Sequence, residues 1–110
     1  MNELLQAYVV DTRYPDVSGI EHLQMLRRRS ELAGLEHTLS REERRQLAEA
    51  DVRLATHAAD FLAELSRFVD LAAERGRLRI PSSHWWWYLD VLIQVPAMPM
   101  GEPKPELVVA

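Results

Sequence analysis

The chain of 110 residues contains no cysteine, a single lysine (Lys104) and only four glycines. Without cysteine there can be no disulfide, no thiolate nucleophile and no Cys-based zinc site. No apolar run approaches the roughly 20 residues that a bilayer-spanning helix needs. The first ten residues carry Glu3 and no basic stretch, so they do not read as a signal peptide. These absences together favour a cytoplasmic protein. The formal net charge of −4 is the wrong sign for a dedicated nucleic-acid binder. What remains, with 47% hydrophobic residues, is enough for one domain with a modest core.

All three tryptophans are adjacent, in Ser82-Ser83-His84-Trp85-Trp86-Trp87-Tyr88-Leu89-Asp90. Successive helical residues are about 100° apart, so three neighbouring indoles cannot share one buried face. A helix over 84–94, capped by Ser82 or Ser83 and stopped by Pro96, places Trp85, Trp86, Leu89 and Ile93 in the core. It puts Trp87, on the stripe of Asp90 and Gln94, nearest to solvent.

Two capping boxes mark helix starts. Ser18 with Glu21 opens a helix over 19–37, and Ser40 with Glu43 opens a second over 41–75. The second run holds no Pro or Gly until Gly76, which occupies the usual position of a left-handed C-terminal cap. Its length is about 35 residues, roughly 52 Å. Leu47, Leu54, Phe61 and Phe68 recur at heptad spacing, with Ala58, Leu65 and Ala72 at the complementary offset. Residues 4–10 suit a helical turn and an edge strand equally, and Pro15-Asp16 reads as a turn. The expected fold is all-α, an antiparallel hairpin or bundle in which helices 19–37 and 84–94 fold back on a long central helix. The helical domain spans 1–95, and a Pro-rich tail over 96–110 is extended or disordered.

Two layers of this kind leave apolar surface bare, and homodimerisation is the simplest remedy. Trp85, Trp86, Trp87, Tyr88, Phe61 and Phe68 are the candidate interface, with the Trp helix also able to receive a protein or peptide. Asp51 is the one charge inside the apolar arc of the long helix, and His22 and Arg29 fall on the apolar face of the first. Folding back sets Arg29 level with Asp51 and His22 level with His57. A buried Arg29–Asp51 pair that fixes helix register is expected, rather than an active cluster of His22, Arg29, Asp51 and His57.

The four histidines (His22, His37, His57, His84) show no metal-ligand spacing, so neither metal nor cofactor is expected. Arg27-Arg28-Arg29 with Arg41, Arg44 and Arg45 forms a basic corner, interleaved with Glu31, Glu36, Glu42 and Glu43 at pairing distance. Arg79 and His84 have the Arg-x4-His spacing that resembles HEPN-type helical ribonucleases, which are small and usually dimeric. Ile80 and Pro81 depart from the polar residue that follows the Arg in that family. The resemblance implies RNA cleavage with Arg79 and His84 as the active groups, the alternative to a non-enzymatic interaction or regulatory module.

Overall fold

A computed structural model describes residues 2–94, and among these every regular element is helical. The Pro-rich segment over 96–110, expected to be extended or disordered, lies outside the described residues. Six α-helices follow in order: α1 (Glu3–Asp11), α2 (Gly19–Ala33), α3 (Arg41–Thr56), α4 (Ala58–Leu65), α5 (Leu71–Leu78) and α6 (Leu89–Leu92). Short 3-10 turns at Glu36–Thr38 and Trp85–Tyr88 join α2 to α3 and lead into α6.

The ambiguous first segment is helix α1. Asn2 caps it, its side-chain oxygen accepting from the backbone N–H of Leu4 at 2.7 Å and of Leu5 at 3.1 Å. Leu5, Tyr8 and Thr12 then recur on one buried stripe. The Asn2 backbone N–H donates to Glu43 Oε2 at 3.1 Å, while Glu43 Oε1 accepts from the Ser40 backbone at 2.9 Å. One carboxylate thus joins the starts of α1 and α3. Those backbone donors, Ser40 first and then Asn2, hold it below the usual carboxylate range.

Ser40 and Glu43 form a complete reciprocal capping box. At α2, Ser18 caps Ile20, and the helix ends four residues earlier than expected, at Ala33.

The expected single helix over 41–75 is instead three helices. The first break is a bend at His57 (φ −106°, ψ 24°), and hydrogen bonds from His57 to the Arg53 carbonyl and from Phe61 to the His57 carbonyl carry across it. Through this bend the apolar seam of Leu47, Ala50, Leu54, Ala58, Phe61 and Leu65 stays buried. The second break is a five-residue interruption at residues 66–70. Asp70 starts α5 by accepting from the Ala73 backbone at 3.2 Å, an aspartate preference that competes with continued helix. Beyond it the heptad fails: Phe68 is 55% exposed and Ala72 is exposed.

Gly76 lies inside α5 rather than at its cap. The left-handed position falls to Arg79 (φ 56°, ψ 47°), with Arg79 N–H on the Gly76 carbonyl and Ile80 N–H on the Arg75 carbonyl. That is the Schellman bonding pattern on a residue whose Cβ disfavours it.

α2 runs antiparallel to the bent α3–α4 pair. Gly19 abuts the Glu64 carbonyl, His22 meets the edge of Phe61 at 4.6 Å, and Arg29 meets Asp51. The His22 partner is therefore Phe61, one turn beyond the expected His57, which is exposed beside Asp60. α1 packs on α2 and α3, and α6 packs on α4. The first half of the predicted long helix is covered by α1, a segment whose conformation the sequence leaves open.

Candidate functional site

The Trp segment reverses one expectation. It begins as a 3-10 turn, with about 120° between successive residues rather than 100°. Neither Ser82 nor Ser83 caps it, since His84 precedes the turn with no side-chain cap bond. The altered phase directs both Trp86 (2% exposed) and Trp87 (1%) inward, and leaves Trp85 and Tyr88 half-buried. Trp87, expected nearest to solvent, is thus in the core of its own chain. Ile93, expected inside, is 44% exposed.

Two buried indole N–H groups need acceptors. One atom, Ser30 Oγ on α2, serves both, at 3.0 Å from Trp86 and 2.9 Å from Trp87. With both lone pairs occupied, the Ser30 hydroxyl hydrogen is directed to His84 Nδ1, 3.1 Å away. His84 must then be the neutral tautomer carrying its hydrogen on Nε2. Burial and the nearby positive Arg29 push its pKa down, against an opposing pull from Glu36. The imidazole stacks on the Trp86 ring, centroids 4.6 Å apart.

One residue earlier, Arg29 is only 5% exposed. Its Nε and Nη2 fork onto Asp51 Oδ1 and Oδ2 at 2.9 and 3.0 Å, and Nη1 donates to Glu36 at 3.0 Å. The guanidinium carbon lies 4.1 Å from the Trp86 ring centroid. Tyr8 from α1 donates to Asp51 Oδ1 at 2.6 Å. Burial, then the charge of Asp51, raises the Tyr8 pKa well above the ordinary phenol range. Burial alone favours a neutral Arg29, yet the hydrogen bonds and charge of Asp51 outweigh it and hold the cation more firmly. The result is a chain of satisfied groups from α1 through α3 and α2 to the Trp turn.

A second arginine closes the far side. Arg75 of α5 donates to the Trp87 carbonyl at 2.9 Å and to both Asp90 oxygens, at 2.7 and 3.3 Å. Its guanidinium covers the Tyr88 ring at 4.3 Å, and its hydrogen bonds hold Asp90 below the usual carboxylate range.

Among the described residues, His22 and Arg79 make no hydrogen bond or ion pair with the other members of the candidate catalytic groupings. His22 donates from Nε2 to the Pro15 carbonyl at 2.9 Å, away from the Arg29–Asp51 pair. Arg79 is exposed at its cap, and no hydrogen bond or ion pair among the described residues joins it to His84. The charges that act on His84 come from Arg29 and Glu36. The Arg triplet divides: Arg28 pairs with Asp11 at 2.6 Å and Arg29 turns inward, while across the corner Arg45 pairs with Glu42 and Glu49. Among the described residues no group of three His, Asp or Glu side chains could hold a metal ion. No helix there is long and apolar enough to cross a membrane.

Tyr8, Ser30, Glu36, Arg75 and Asp90 were not expected to take part. Ser30 and Glu36 had a signal, since each neighbours or follows Arg29 at helical spacing. Arg75 with Asp90 had none, because the pair forms between α5 and α6, fifteen residues apart, once the helix has broken at residues 66–70.

The other notable place is the α4–α5 corner. Phe68 projects over an open groove of about 530 Å³, lined by Leu62, Ser66, Val69, Leu71 and Asp90 among others. It is seated on Gly19, where a Cβ would stand 2.8 Å from Phe68 Cδ2 and 2.3 Å from the Glu64 oxygen. Ile20, Val91 and Ile93, in the segments that adjoin this corner, are also exposed.

Comparison with protein-family models, with curated proteins and with solved structures gives no significant match to this chain.

Proposed function

We propose that this protein is a small non-enzymatic interaction module that assembles as a homodimer, and that its docking face is the Phe68 corner rather than the Trp turn. The observation that carries the reading is the 55% exposure of Phe68 above a groove lined by both apolar (Leu62, Val69, Leu71, Ala72) and polar (Ser66, Arg67, Asp70, Asp90) side chains. A phenyl ring left half exposed forgoes about half of the roughly 1.5–3 kcal/mol that full burial supplies. An aromatic anchor beside a groove is the usual form of an interface hot spot.

The Trp turn is less suited to that role. Its two most buried indoles, Trp86 and Trp87, are already used inside the chain, and their N–H groups are both bonded to Ser30 there. The Arg29 and Ser30 clusters support a structural purpose, because their buried polar atoms are spent on one another across α1, α2, α3 and the Trp turn. The ribonuclease alternative has no contact between Arg79 and His84 in its favour.

Light scattering at tens of micromolar protein should give twice the monomer mass, and Phe68→Ser should return the monomer with an unchanged far-ultraviolet spectrum. A monomeric wild type, or a dimer indifferent to Phe68→Ser, would overturn the reading.

A further inference from the structure

The hydrogen bonds at Ser30 close for only one charge state of His84. Three nitrogens converge on Ser30 Oγ, those of Trp87 at 2.9 Å, Trp86 at 3.0 Å and His84 at 3.1 Å. An indole nitrogen can only donate, and a hydroxyl oxygen has two lone pairs. The neutral imidazole fits, because its Nδ1 takes the hydroxyl hydrogen. An imidazolium carries hydrogen on both ring nitrogens, so three N–H groups then compete for two lone pairs. One of them must lose its partner, whichever way the hydroxyl turns. Both indoles are buried, so a donor stranded on either is costly.

Charge works in the same direction. Two charged groups act on the His84 ring, Arg29 from α2 and Glu36 from the 3-10 turn after it. The Arg29 guanidinium carbon lies 4.1 Å from the Trp86 ring centroid, and the His84 ring centroid lies 4.6 Å from it. A proton on His84 therefore sets a second cation against one indole. Glu36 opposes this, but it is already bonded to Arg29 Nη1 at 3.0 Å. His84 itself is only half-buried, so a proton can reach it. The residues before it, Pro81, Ser82 and Ser83, are exposed and can swing without uncovering a core contact.

We propose that the Trp turn is a proton-operated latch: when His84 takes up a proton, Trp86 and Trp87 let go of Ser30 and their indoles leave the core. Burial and Arg29 lower the His84 pKa in the closed form, whereas the open form titrates near the ordinary value of about 6.5. The open form thus binds the proton more tightly, and acid favours opening. Below about pH 6.5 each further unit shifts the balance toward the open form by up to tenfold, until the closed form is protonated too. Above that pH the latch is shut. The open form presents two indoles that the closed form hides, and it does so without any need for self-association.

The test follows tryptophan emission of the full chain from about pH 8 to about pH 5, with acrylamide as a neutral quencher. Acidification should move the emission maximum to longer wavelength and raise quenching, with a midpoint below about 6.5 and an unchanged far-ultraviolet spectrum. His84→Gln, whose amide oxygen accepts from Ser30 but does not titrate, should keep the neutral-pH emission throughout. His84→Phe, which keeps a ring against Trp86, should do the same and replaces His84→Gln if that variant does not fold. An emission maximum that stays in place down to pH 5 overturns the proposal. So does a fall in intensity without a red shift, the sign of a charged imidazole still stacked on Trp86. A red shift that comes with loss of helical signal is acid unfolding and overturns it as well. A red shift that persists in His84→Gln or His84→Phe assigns the proton to another group, and the latch fails.

Discussion

Around Arg29 the chain gathers two indoles, a phenol, an imidazole, a hydroxyl and three charges, and satisfies them from one another. At the α4–α5 corner, a phenyl ring and several aliphatic side chains stand over a groove that the described residues leave open. Both regions break the same simple pattern, polar outside and apolar inside. In the first, polar groups lie in the core and are tolerated because the indole, phenol and hydroxyl donors and the Arg29 fork meet acceptors at 2.6 to 3.1 Å. In the second, apolar groups lie in water and nothing within residues 2–94 covers them. A buried polar cluster that is complete is a reason to assign it to structure. An incomplete apolar surface is a reason to look for a partner.

Four substitutions would break or sharpen this contrast. Asp51→Ala should have the largest effect, because it leaves the buried Arg29 cation with only the half-exposed Glu36 and the Tyr8 hydroxyl without its acceptor. A loss of about 3 kcal/mol in denaturant unfolding is expected, the low end for breaking a buried pair because the Asp51 side chain is 20% exposed. A loss under about 1 kcal/mol would mean that water already solvates the cluster. Ser30→Ala removes the shared acceptor of two indoles and the donor to His84. It should cost about 2 kcal/mol and alter tryptophan emission, whereas Ser30→Thr, which keeps the hydroxyl, should do less. An unchanged emission spectrum with wild-type stability would remove Ser30 from the centre of the cluster.

The remaining two act on the helix junctions near the open corner. Gly19→Ala should destabilise by about 1–2 kcal/mol despite the better helix propensity of alanine, since its Cβ would overlap the Glu64 carbonyl and Phe68. A more stable Gly19→Ala variant would show that Phe68 moves freely from its seat. Arg79→Gly should stabilise slightly, by about 0.5–1 kcal/mol, because glycine relieves the left-handed strain at the cost of a more flexible unfolded chain. A drop in melting temperature would instead mean that the Arg79 side chain makes a contact worth more than the strain.

Much of the molecule was readable in advance, and the failures have definite causes. Ser40 with Glu43, the seam from Leu47 to Leu65, and the level of Arg29 against Asp51 all follow from helical spacing, which depends only on local geometry. The errors begin where two local preferences compete. Nothing in residues 66–70 forbids helix, yet Asp70 can start a new one, and the burial of Leu71 together with the Arg75–Asp90 and Arg75–Trp87 contacts favours the break. Trp87 was misplaced for a related reason. A wheel drawn at 100° gives the wrong face when the turn winds at 120°.

The sequence by itself determined that the chain is helical, where α2 and α3 begin, and which arginine and aspartate would be forced together inside it. Those follow from cap chemistry and periodicity, both of which act over three or four residues. Only the tertiary structure decided that the long run folds into three helices, that two of the tryptophans face inward onto one serine, and that Phe68 stays outside. Those outcomes depend on contacts between residues as far apart as Ser30 and Trp87, or Gly19 and Phe68, whose free energy appears only once the helices have packed.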